Sequence, residues 1–444
     1  MKKLFGTDGI RGIAYEFLTE ELAVKVGEAL GSILKDNTRS PTVVIGGDTR
    51  ESYGMLLSAL TEGLVRVGAN VHVAGTVPTP AIAYFTATLG FDAGVMISAS
   101  HNPYRYNGIK ILARGGFKLS DEEELEIERL VDYGKFSESG QRGKVTRDKS
   151  LLEKYVAHLK SFVPEAKTDL RAVIDCANGS AAATAREVFS FLGKDTVFIG
   201  TSPDGRNIND GCGSTDLSLL SRTVTALGAD IGIAFDGDAD RFLAVDERGN
   251  EVDGDFVLAI LAEGLKEKGR LCKMGLVGTV TSNMGLAEFA KDIGCNFVAA
   301  KVGDRYVLEE MERCGYSLGG EQSGHTIIRE AATTGDGQLT ALYVLLRMAE
   351  TAKPLSSLAS VMRRYPQHTV NVAANAEAKE RIASDAQISE LIDLERARIG
   401  HGRILVRASG TEPVVRIMVE APEAQTAKAV CESIANRLRV ILMN

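Results

Sequence analysis

The chain has 444 residues, of which 44% are hydrophobic and 25% are charged, and its formal net charge is −8. These values are typical of a soluble globular protein, and the negative charge disfavours nucleic acid or an anionic membrane as a general partner. No apolar run approaches the about 18 residues of a membrane span, no signal-peptide pattern opens the sequence, and six scattered cysteines indicate neither zinc nor a disulfide framework. We expect a cytoplasmic protein of about three domains.

The first patterned stretch is Gly6–Gly12, which has three glycines and Arg11. It predicts a glycine-rich loop that precedes any regular element, and both a ligand-contacting loop and an ordinary surface turn remain open. Thr19 then predicts the N-terminal cap of a helix, because two glutamates and an apolar stripe follow it.

Two later helix starts are predicted by caps of the same kind. Ser120 with Glu123 has the pattern of a capping box, and Asp336 is most simply the cap of a helix that begins near Leu339.

A strand, a helix and a second strand recur three times along the chain. The predicted strands lie at residues 43–45 and 71–73, 172–174 and 197–199, and 276–277 and 297–299. The helices between them lie at residues 55–67, through Val188 and Phe189, and at 286–293, and each segment ends near a glycine. These units predict three related α/β domains with parallel or mixed sheets. From about Tyr365, strand-like segments alternate with two helical ones, which predicts a smaller α+β domain.

The serine loop, Ser98–Pro103, follows a predicted strand over Phe91–Ile97. A serine at the carboxyl end of a strand in an open α/β sheet lies where ligands bind, so Ser100 is a candidate nucleophile. Taken alone, the loop is more simply a turn whose side chains satisfy its own backbone groups, because a serine-rich loop is a weak motif.

The aspartate loop, Asp236–Asp240, lies between two predicted strands and has carboxylates at alternate positions. Three carboxylates can converge on one hard cation such as Mg²⁺ or Ca²⁺, and without a cation they repel one another. An EF-hand is excluded, because Arg241 occupies the position that needs glycine and strands flank the loop.

Two later loops carry polar side chains suited to a sugar phosphate. The glutamate loop, Gly319–His325, places Glu321 and Ser323 between glycines, although a turn with a solvated glutamate also fits it. The arginine loop, Arg407–Pro413 with Arg416, has the composition of a phosphate site, and a charged hairpin is its alternative. Walker A, GxGxxG, HExxH and GxSxG patterns are absent, which removes the main sequence support for an ATPase, a dehydrogenase, a zinc peptidase or an α/β-hydrolase.

Six blocks occur in the order known for the α-D-phosphohexomutase superfamily, which the chain resembles from Phe5 to about Ala421. They are Gly6–Gly12, Ala99–Pro103, Asn207–Asn209 with Cys212–Thr215, Val302–Tyr306, Gly320–His325 and Thr334–Gly337. Within the superfamily they are similar to the bacterial phosphoglucosamine mutase branch. Ala239 is a departure, because much of that branch has glycine there.

The resemblance implies a role for each loop. Ser100 would be a phosphoserine, and its phosphate would bind Mg²⁺ together with Asp236, Asp238 and Asp240. Lys110 matches the proposed general acid/base of the family, and the residues that match positions near the phosphoserine are Arg11, His101 and Arg241. Glu321 and Ser323 would contact the sugar. The non-reacting phosphate would be held by Arg407, Ser409, Gly410, Thr411 and Arg416.

The implied fold has four domains around a central cleft, three related α/β domains with mixed sheets and a smaller C-terminal α+β domain. We place them at residues 1–145 with the phosphoserine loop, 146–252 with the metal-binding loop, 253–364 with the sugar-binding loop and 365–444 with the phosphate-binding loop.

The implied reaction converts glucosamine 6-phosphate to glucosamine 1-phosphate through a phosphoserine and a glucosamine 1,6-bisphosphate that is both intermediate and activator. The product would feed UDP-N-acetylglucosamine and cell-wall synthesis. Alternatives are phosphomannomutase or phosphoglucomutase activity by the same mechanism, a phosphatase with Asp236 as nucleophile, and a sugar-phosphate-binding protein without catalysis. The expected partner is a small sugar phosphate, and the resemblance also admits a homodimer.

Overall fold

The computed structural model describes residues 4–6, 8–134, 136, 141–163, 168–382, 384–409 and 413–443. These residues fall into two compact units, Met1–Thr281 with Cys295–Val361 and Ser282–Gly294 with Met362–Asn444. Among the helices in the described ranges, we find none with the length and apolar character needed to cross a membrane.

In the described part of the chain, seven strands form the first sheet. They are β1 (Phe5–Gly6), β2 (Gly9–Ile13), β3 (Thr42–Gly47), β4 (Asn70–Thr76), β5 (Ala93–Ile97), β6 (Tyr106–Ala113) and β7 (Val145–Arg147), in the spatial order β1-β2-β6-β5-β3-β4-β7. The helices of this region are α1 (Glu20–Asn37), α2 (Tyr53–Arg66), α3 (Thr79–Thr88) and α4 (Asp121–Tyr133). Strand β3 pairs in parallel with β4 and β5, whereas β6 pairs antiparallel with β2 and β5. The predicted mixed sheet is therefore confirmed.

Two helix starts in this region follow their predicted caps. The Thr19 hydroxyl accepts a hydrogen bond from the Leu22 N–H at 3.2 Å at the start of α1. At α4, the Ser120 hydroxyl accepts from the Glu123 N–H, and the Glu123 carboxylate accepts from the Ser120 N–H in return. This reciprocal pair is the predicted capping box.

The N-terminal segment differs from its prediction. The sequence predicts a loop over Gly6–Gly12, but Gly9–Ile13 forms β2 and pairs with β6. Gly9 has a φ of +79°, and a Cβ there would lie 2.5 Å from the carbonyl oxygen of Ile109, so glycine permits this close approach. Pairing with β6 outweighs the weak strand preference of glycine. As a result, Arg11 lies on a strand rather than in a loop.

Five described strands form the second sheet. They are β8 (Ala172–Asp175), β9 (Val197–Ile199), β10 (Ile231–Phe235), β11 (Phe242–Asp246) and β12 (Glu251–Val252), in the order β12-β11-β10-β8-β9. The helices are α5 (Ser150–Lys160), α6 (Ala185–Val188) and α7 (Ser218–Leu227), with 3₁₀ turns at Ser180–Ala183 and Gly213–Thr215. The predicted helix through Val188 and Phe189 is shorter than expected, because Thr184, with a φ of −121°, separates the first 3₁₀ turn from α6.

The third sheet has four strands within the described ranges. They are β13 (Gly275–Thr279), β14 (Asn296–Ala300), β15 (Leu318–Gly320) and β16 (Thr326–Ile328), in the order β14-β13-β15-β16. The helices that follow the second sheet in the chain are α8 (Gly254–Glu267), α9 (Met284–Asp292), α10 (Asp304–Cys314), α11 (Gly337–Thr351) and α12 (Leu355–Ala359). Helix α9 belongs to the second compact unit.

The second unit contains an antiparallel sheet, as the predicted α+β domain requires. Its described strands are β17 (Gln367–Ala373), β18 (Arg403–Ala408) and β19 (Val414–Glu420), in the order β17-β19-β18. From about Tyr365 onward the sequence predicts two helical segments, whereas the described residues of that stretch form three, α13 (Ala376–Arg381), α14 (Ala386–Ile399) and α15 (Ala424–Met443). The short α13 was missed because six residues carry too little periodicity to be detected.

Candidate active site

The serine loop follows β5 and is buried. Ser100 is 1% exposed, and its hydroxyl donates to Asp236 Oδ2 at 2.6 Å. His101 Nδ1 lies 3.4 Å from the same hydroxyl oxygen. Ser100 has a φ of +52°, a left-handed conformation that costs a residue with a side chain about 1–2 kcal/mol. The fold therefore holds the candidate nucleophile in a strained conformation against the aspartate loop.

The aspartate loop connects β10 to β11 and gathers its three carboxylates. One oxygen from each of Asp236, Asp238 and Asp240 lies within 4.8 Å of the others, and all three residues are buried. Within the described residues, Asp238 Oδ1 and Asp240 Oδ1 are buried without a hydrogen-bond partner. Buried carboxylate oxygens are costly unless a cation compensates them, and an oxygen-only donor set suits a hard divalent ion. The residues present therefore fit such a metal.

Ala239, where glycine is commoner in the related branch, has a φ of +57° and is fully buried. Its N–H donates to the carbonyl oxygen of Asp236 at 3.1 Å, which closes the turn. The methyl group is accommodated at a cost of about 1 kcal/mol relative to glycine, and all three carboxylates keep their places.

The carboxylates differ in proton affinity. Burial raises the pKa of Asp236 well above its ordinary value, and the charges of Asp240 and Asp238 raise it further. Burial also acts to raise the pKa of Asp240, but Lys110 and His325 outweigh it and hold that pKa well below its usual range. The repulsion predicted for adjacent carboxylates thus falls mainly on Asp236.

Lys110, on β6, starts a chain of alternating charges. Its Nζ lies 2.7 Å from Asp238 Oδ2 and 3.0 Å from Asp8 Oδ2. Lys118 contacts Asp8 in turn and lies 2.5 Å from Asp304 Oδ2. Burial would lower the pKa of Lys110, but the neighbouring carboxylates raise it above its ordinary value. No role was predicted for Asp8, Lys118 or Asp304, although Asp8 and Asp304 lie inside blocks that carry the resemblance.

Three further predicted residues contact Ser100 or members of the carboxylate and lysine network beside it. Arg11 forms an ion pair with Asp8. The backbone N–H of Arg241 donates to Asp236 Oδ1 at 3.3 Å. Burial lowers the pKa of His101 to about 4, and the nearby charges of Arg241 and Arg11 add to this effect. His101 is therefore a neutral imidazole at neutral pH.

The glutamate loop connects β15 to β16. Glu321 Oε1 accepts a hydrogen bond from the Gly303 N–H at 2.8 Å, so this carboxylate is anchored rather than merely solvated, and Ser323 is exposed. His325, for which no role was predicted, is buried with its Nδ1 3.6 Å from Asp240 Oδ2. Burial acts to lower the pKa of His325, but its interaction with Asp240 raises that pKa to about 9.

The arginine loop lies in the second unit and is described within that unit. Arg407 and Arg416 are directly opposite each other on β18 and β19. Burial lowers the pKa of Arg407, and the charge of Arg416 lowers it further. Opposed like charges destabilise a strand pair, and a bound phosphate would relieve the repulsion. Ser409 follows β18, and its carbonyl accepts from Lys379 Nζ at 2.6 Å, a contact the sequence analysis missed. Two predicted members of the loop lie outside the described residues, Gly410 and Thr411.

Comparison with protein families identifies all four parts of the chain. Models described as phosphoglucomutase/phosphomannomutase α/β/α domains I, II and III match residues 2–138, 153–249 and 253–365, and a model of the C-terminal domain matches residues 370–437. The chain belongs to the phosphoglucomutase/phosphomannomutase family. Each matched domain of the family contains one of the four loops, in the order serine, aspartate, glutamate and arginine.

Relatives within the family match over nearly their whole length. The phosphoglucosamine mutase of Caldicellulosiruptor bescii is 49% identical over 443 residues, which cover 98% of both chains. The phosphoglucosamine mutase of Geobacillus thermodenitrificans is 46% identical over 444 residues, which cover 99% of both chains.

Solved structures share the fold at lower identity. A phosphoglucomutase/phosphomannomutase family protein of Burkholderia thailandensis matches with a TM-score of 0.80 and 24% identity, over 100% of this chain and 98% of that one. The N-acetylphosphoglucosamine mutase of Aspergillus fumigatus, in complex with GlcNAc-6P and magnesium, matches with a TM-score of 0.72 and 18% identity, over 99% and 96%. Family membership and the buried aspartates together indicate a metal site.

Proposed function

We propose that the chain isomerises glucosamine 6-phosphate to glucosamine 1-phosphate. The observation that carries the proposal is the buried Ser100 hydroxyl, which lies 2.6 Å from Asp236 at the edge of a carboxylate cluster. Identities of 46–49% to proteins named phosphoglucosamine mutase support an amino-sugar phosphate as the substrate.

In the proposed reaction, Ser100 carries a phosphoryl group and transfers it to the C1 hydroxyl of glucosamine 6-phosphate. The proton of that hydroxyl ends on Ser100 Oγ, and the product is glucosamine 1,6-bisphosphate. The bisphosphate turns over, its 6-phosphoryl group returns to Ser100 Oγ, and the serine proton ends on O6 of glucosamine 1-phosphate. A single serine therefore requires two binding orientations of the sugar.

Positioning and charge neutralisation dominate phosphoryl transfer. Three carboxylates, those of Asp236, Asp238 and Asp240, would hold Mg²⁺. An oxygen on Ser100 would complete this set of ligands. When bound, the ion would neutralise charge on the transferring group. We assign Lys110 the movement of the proton between Ser100 and the sugar hydroxyl. The groups that orient the reacting phosphate are Arg11, His101 and Arg241.

The remaining loops hold the rest of the substrate. Glu321 and Ser323 contact the sugar, and the bond from Gly303 to one oxygen of Glu321 leaves the other oxygen for the ligand. The distal phosphate is assigned to Arg407, Ser409, Gly410, Thr411 and Arg416. Because the sugar binds in two orientations, this site must accept the phosphate at either end.

A coupled assay tests the proposal directly. Purified protein receives glucosamine 6-phosphate, Mg²⁺ and a trace of glucosamine 1,6-bisphosphate, and glucosamine 1-phosphate is measured. Turnover supports the proposal. Binding of the sugar phosphate without turnover would instead indicate a binding protein, and a higher kcat/KM for glucose or mannose 6-phosphate would reassign the substrate within the family.

The Ser100→Ala variant tests the nucleophile. We expect it to lose turnover, because no other buried hydroxyl contacts Asp236 among the described residues. Intact-protein mass spectrometry should find one phosphate on wild-type protein and none on the variant, with Ser161→Ala as a control at a distant serine. Near-normal activity of Ser100→Ala would overturn the scheme, and a phosphate retained in that variant would favour Asp236 as the nucleophile.

A further inference from the structure

The backbone of Ser100 is held as tightly as its side chain. Its N–H donates to the Ser98 hydroxyl at 2.9 Å, and its carbonyl oxygen accepts from both Arg50 Nη2 and Asn209 Nδ2 at 2.9 Å. Ser100 is the strained residue of the loop, with a φ of +52°. Strain of this kind persists only where surrounding contacts impose it, and these contacts act on the strained peptide itself.

Arg50 restrains the whole segment around Ser100. Its side chain is fully buried, and all five of its N–H groups donate hydrogen bonds. Nε donates to Asp48 Oδ2 at 2.8 Å. The Nη groups donate, at 2.6–2.9 Å, to the carbonyl oxygens of Ser100, Asn102, Pro103 and Tyr106. One guanidinium thus fixes the direction of four carbonyls in the segment that carries the nucleophile.

Asp48 closes the network from the other side of Ser100. Asp48 Oδ2, which binds Arg50, also accepts a hydrogen bond from the Ser98 hydroxyl at 2.6 Å. The Ser98 hydroxyl oxygen in turn accepts from the Ser100 N–H. A continuous ring therefore runs from the Ser100 carbonyl through Arg50, Asp48 and Ser98 to the Ser100 N–H. Rotation of the Ser100 peptide would break bonds at both ends.

Asn209 links this ring to the aspartate loop. Its Nδ2 donates to the carbonyl oxygens of Ser100 at 2.9 Å and Asn102 at 3.3 Å. A Cβ added at Gly237, between Asp236 and Asp238, would lie 2.7 Å from the Ser100 carbonyl oxygen and 2.9 Å from Asn209 Nδ2. The serine carbonyl, the asparagine and the metal loop are therefore packed together, and the block that contains Asn209 had no assigned role.

We propose that Arg50 and Asn209 are positioning residues that hold Ser100 in its left-handed conformation, with its hydroxyl directed at Asp236. The inference rests on the proposed function, because it assigns to both side chains the orientation of the phosphoryl acceptor. Neither residue contacts the reacting atoms. The step they serve is the transfer of a phosphoryl group from a sugar bisphosphate to Ser100 Oγ, in which the serine proton ends on the released sugar hydroxyl.

The test compares Arg50→Lys and Asn209→Ala with wild-type protein. Lysine keeps the charge but offers three donors in place of a planar fork of five. Asn209→Ala removes two bonds from a half-buried loop, and alanine there also meets the strain of a left-handed φ of +59°. Arg347→Ala is the matched control, because Arg347 is also a buried arginine but pairs only with Glu263 and Glu267 in the contacts described here. All rates are taken at a temperature where circular dichroism shows each variant to be folded.

Each protein is first dephosphorylated with a phosphatase, which is then removed. Two measurements follow. The first is the rate at which phosphate appears on Ser100 after mixing with glucosamine 1,6-bisphosphate, followed by intact mass, and the second is steady-state kcat and KM for glucosamine 6-phosphate. We expect Arg50→Lys to lower both the phosphorylation rate and kcat about 10- to 100-fold. Asn209→Ala should lower the same two quantities by a smaller factor. KM should stay within about twofold of wild type in both variants. Arg347→Ala should lower the melting temperature and leave both rates unchanged.

The outcomes distinguish the positioning role of Arg50 and Asn209 from the proposed function. A wild-type protein that takes up no phosphate from the bisphosphate contradicts the proposed function itself. If wild type is phosphorylated at Ser100 and both folded variants match its rates, the positioning role is wrong. If Arg50→Lys does not fold, Asn209→Ala decides alone, and a rate equal to that of wild type overturns the proposal.

Discussion

Thr79 offers a sharp test of the carboxylate cluster from outside it. It is the first residue of α3 and is 5% exposed. Its hydroxyl donates to Asp238 Oδ2 at 2.6 Å, and its N–H donates to the Asp238 carbonyl oxygen at 2.9 Å. The substitution Thr79→Val replaces the hydroxyl with a methyl group of similar size and leaves the backbone bond in place.

The expected loss of stability follows from the charge on the acceptor of this hydrogen bond. A hydrogen bond to a charged group contributes about 1.5–3 kcal/mol, and removing the donor leaves a buried carboxylate oxygen less well satisfied. Lys110 still lies 2.7 Å from the same oxygen and retains its Coulombic attraction. We therefore expect the free energy of unfolding to fall by about 2 kcal/mol. Because hydrogen bonds to ligand carboxylates orient them, metal affinity should fall about tenfold.

Urea unfolding without metal measures the first effect, and Mn²⁺ binding followed by electron paramagnetic resonance measures the second. Thr86→Val is the matched control, because Thr86 lies on the same helix, is also buried and donates only to the Ile82 carbonyl at 2.7 Å. We expect the control to lose less than about 1 kcal/mol and to bind Mn²⁺ like wild type. Wild-type Mn²⁺ affinity in Thr79→Val, or equal losses in both variants, would refute the reasoning.

Two further predictions concern pH and the distal phosphate. Burial raises the pKa of Asp336 to about 6 from an ordinary 3.8, so the folded protein binds this proton more tightly than the unfolded chain. Its contribution to stability is fully present below about pH 4 and decreases by about 3 kcal/mol as pH rises through 6. Asp336→Asn keeps a good N-cap and should remove that loss of stability when urea midpoints are compared from pH 4 to 7. Asp385→Asn is the control and should not remove it, because a hydrogen bond from Arg381 lowers the pKa of Asp385. Equal pH profiles for wild type and Asp336→Asn would contradict the assignment. Arg407→Ala should raise KM for glucosamine 6-phosphate about 10- to 100-fold with a smaller change in kcat, because an arginine–phosphate contact contributes about 1.5–3 kcal/mol. Arg439→Ala, at an exposed arginine, is the control. If Arg407→Ala has the same KM as this control and wild type, the distal phosphate binds elsewhere.

Local sequence patterns were sufficient to predict structure where the contacts that determine it span only a few residues. The caps at Thr19, Ser120 and Asp336 are observed as predicted, since each side chain accepts a hydrogen bond from the N–H three positions later. The alternating carboxylates of Asp236–Asp240 similarly predicted a cluster, because a short loop keeps alternate residues close together.

Long-range pairing explains where these patterns failed. Gly9–Ile13 is a strand because β6, about a hundred residues later in the chain, provides its hydrogen-bond partners. The short α6 is a different case, because its helix is interrupted locally by the backbone conformation of Thr184, which the helical period of the sequence does not show.

The sequence by itself determined the kinds of chemical group at the site, a serine at a strand end, three carboxylates in one loop and paired arginines near the C-terminus. Only the tertiary structure decided which groups meet. Ser100 and Asp236 are 136 positions apart, and Arg50 reaches Ser100 across 50. Such contacts depend on sheet register and on the packing of one domain against another, and neither is encoded in the periodicity of any single segment.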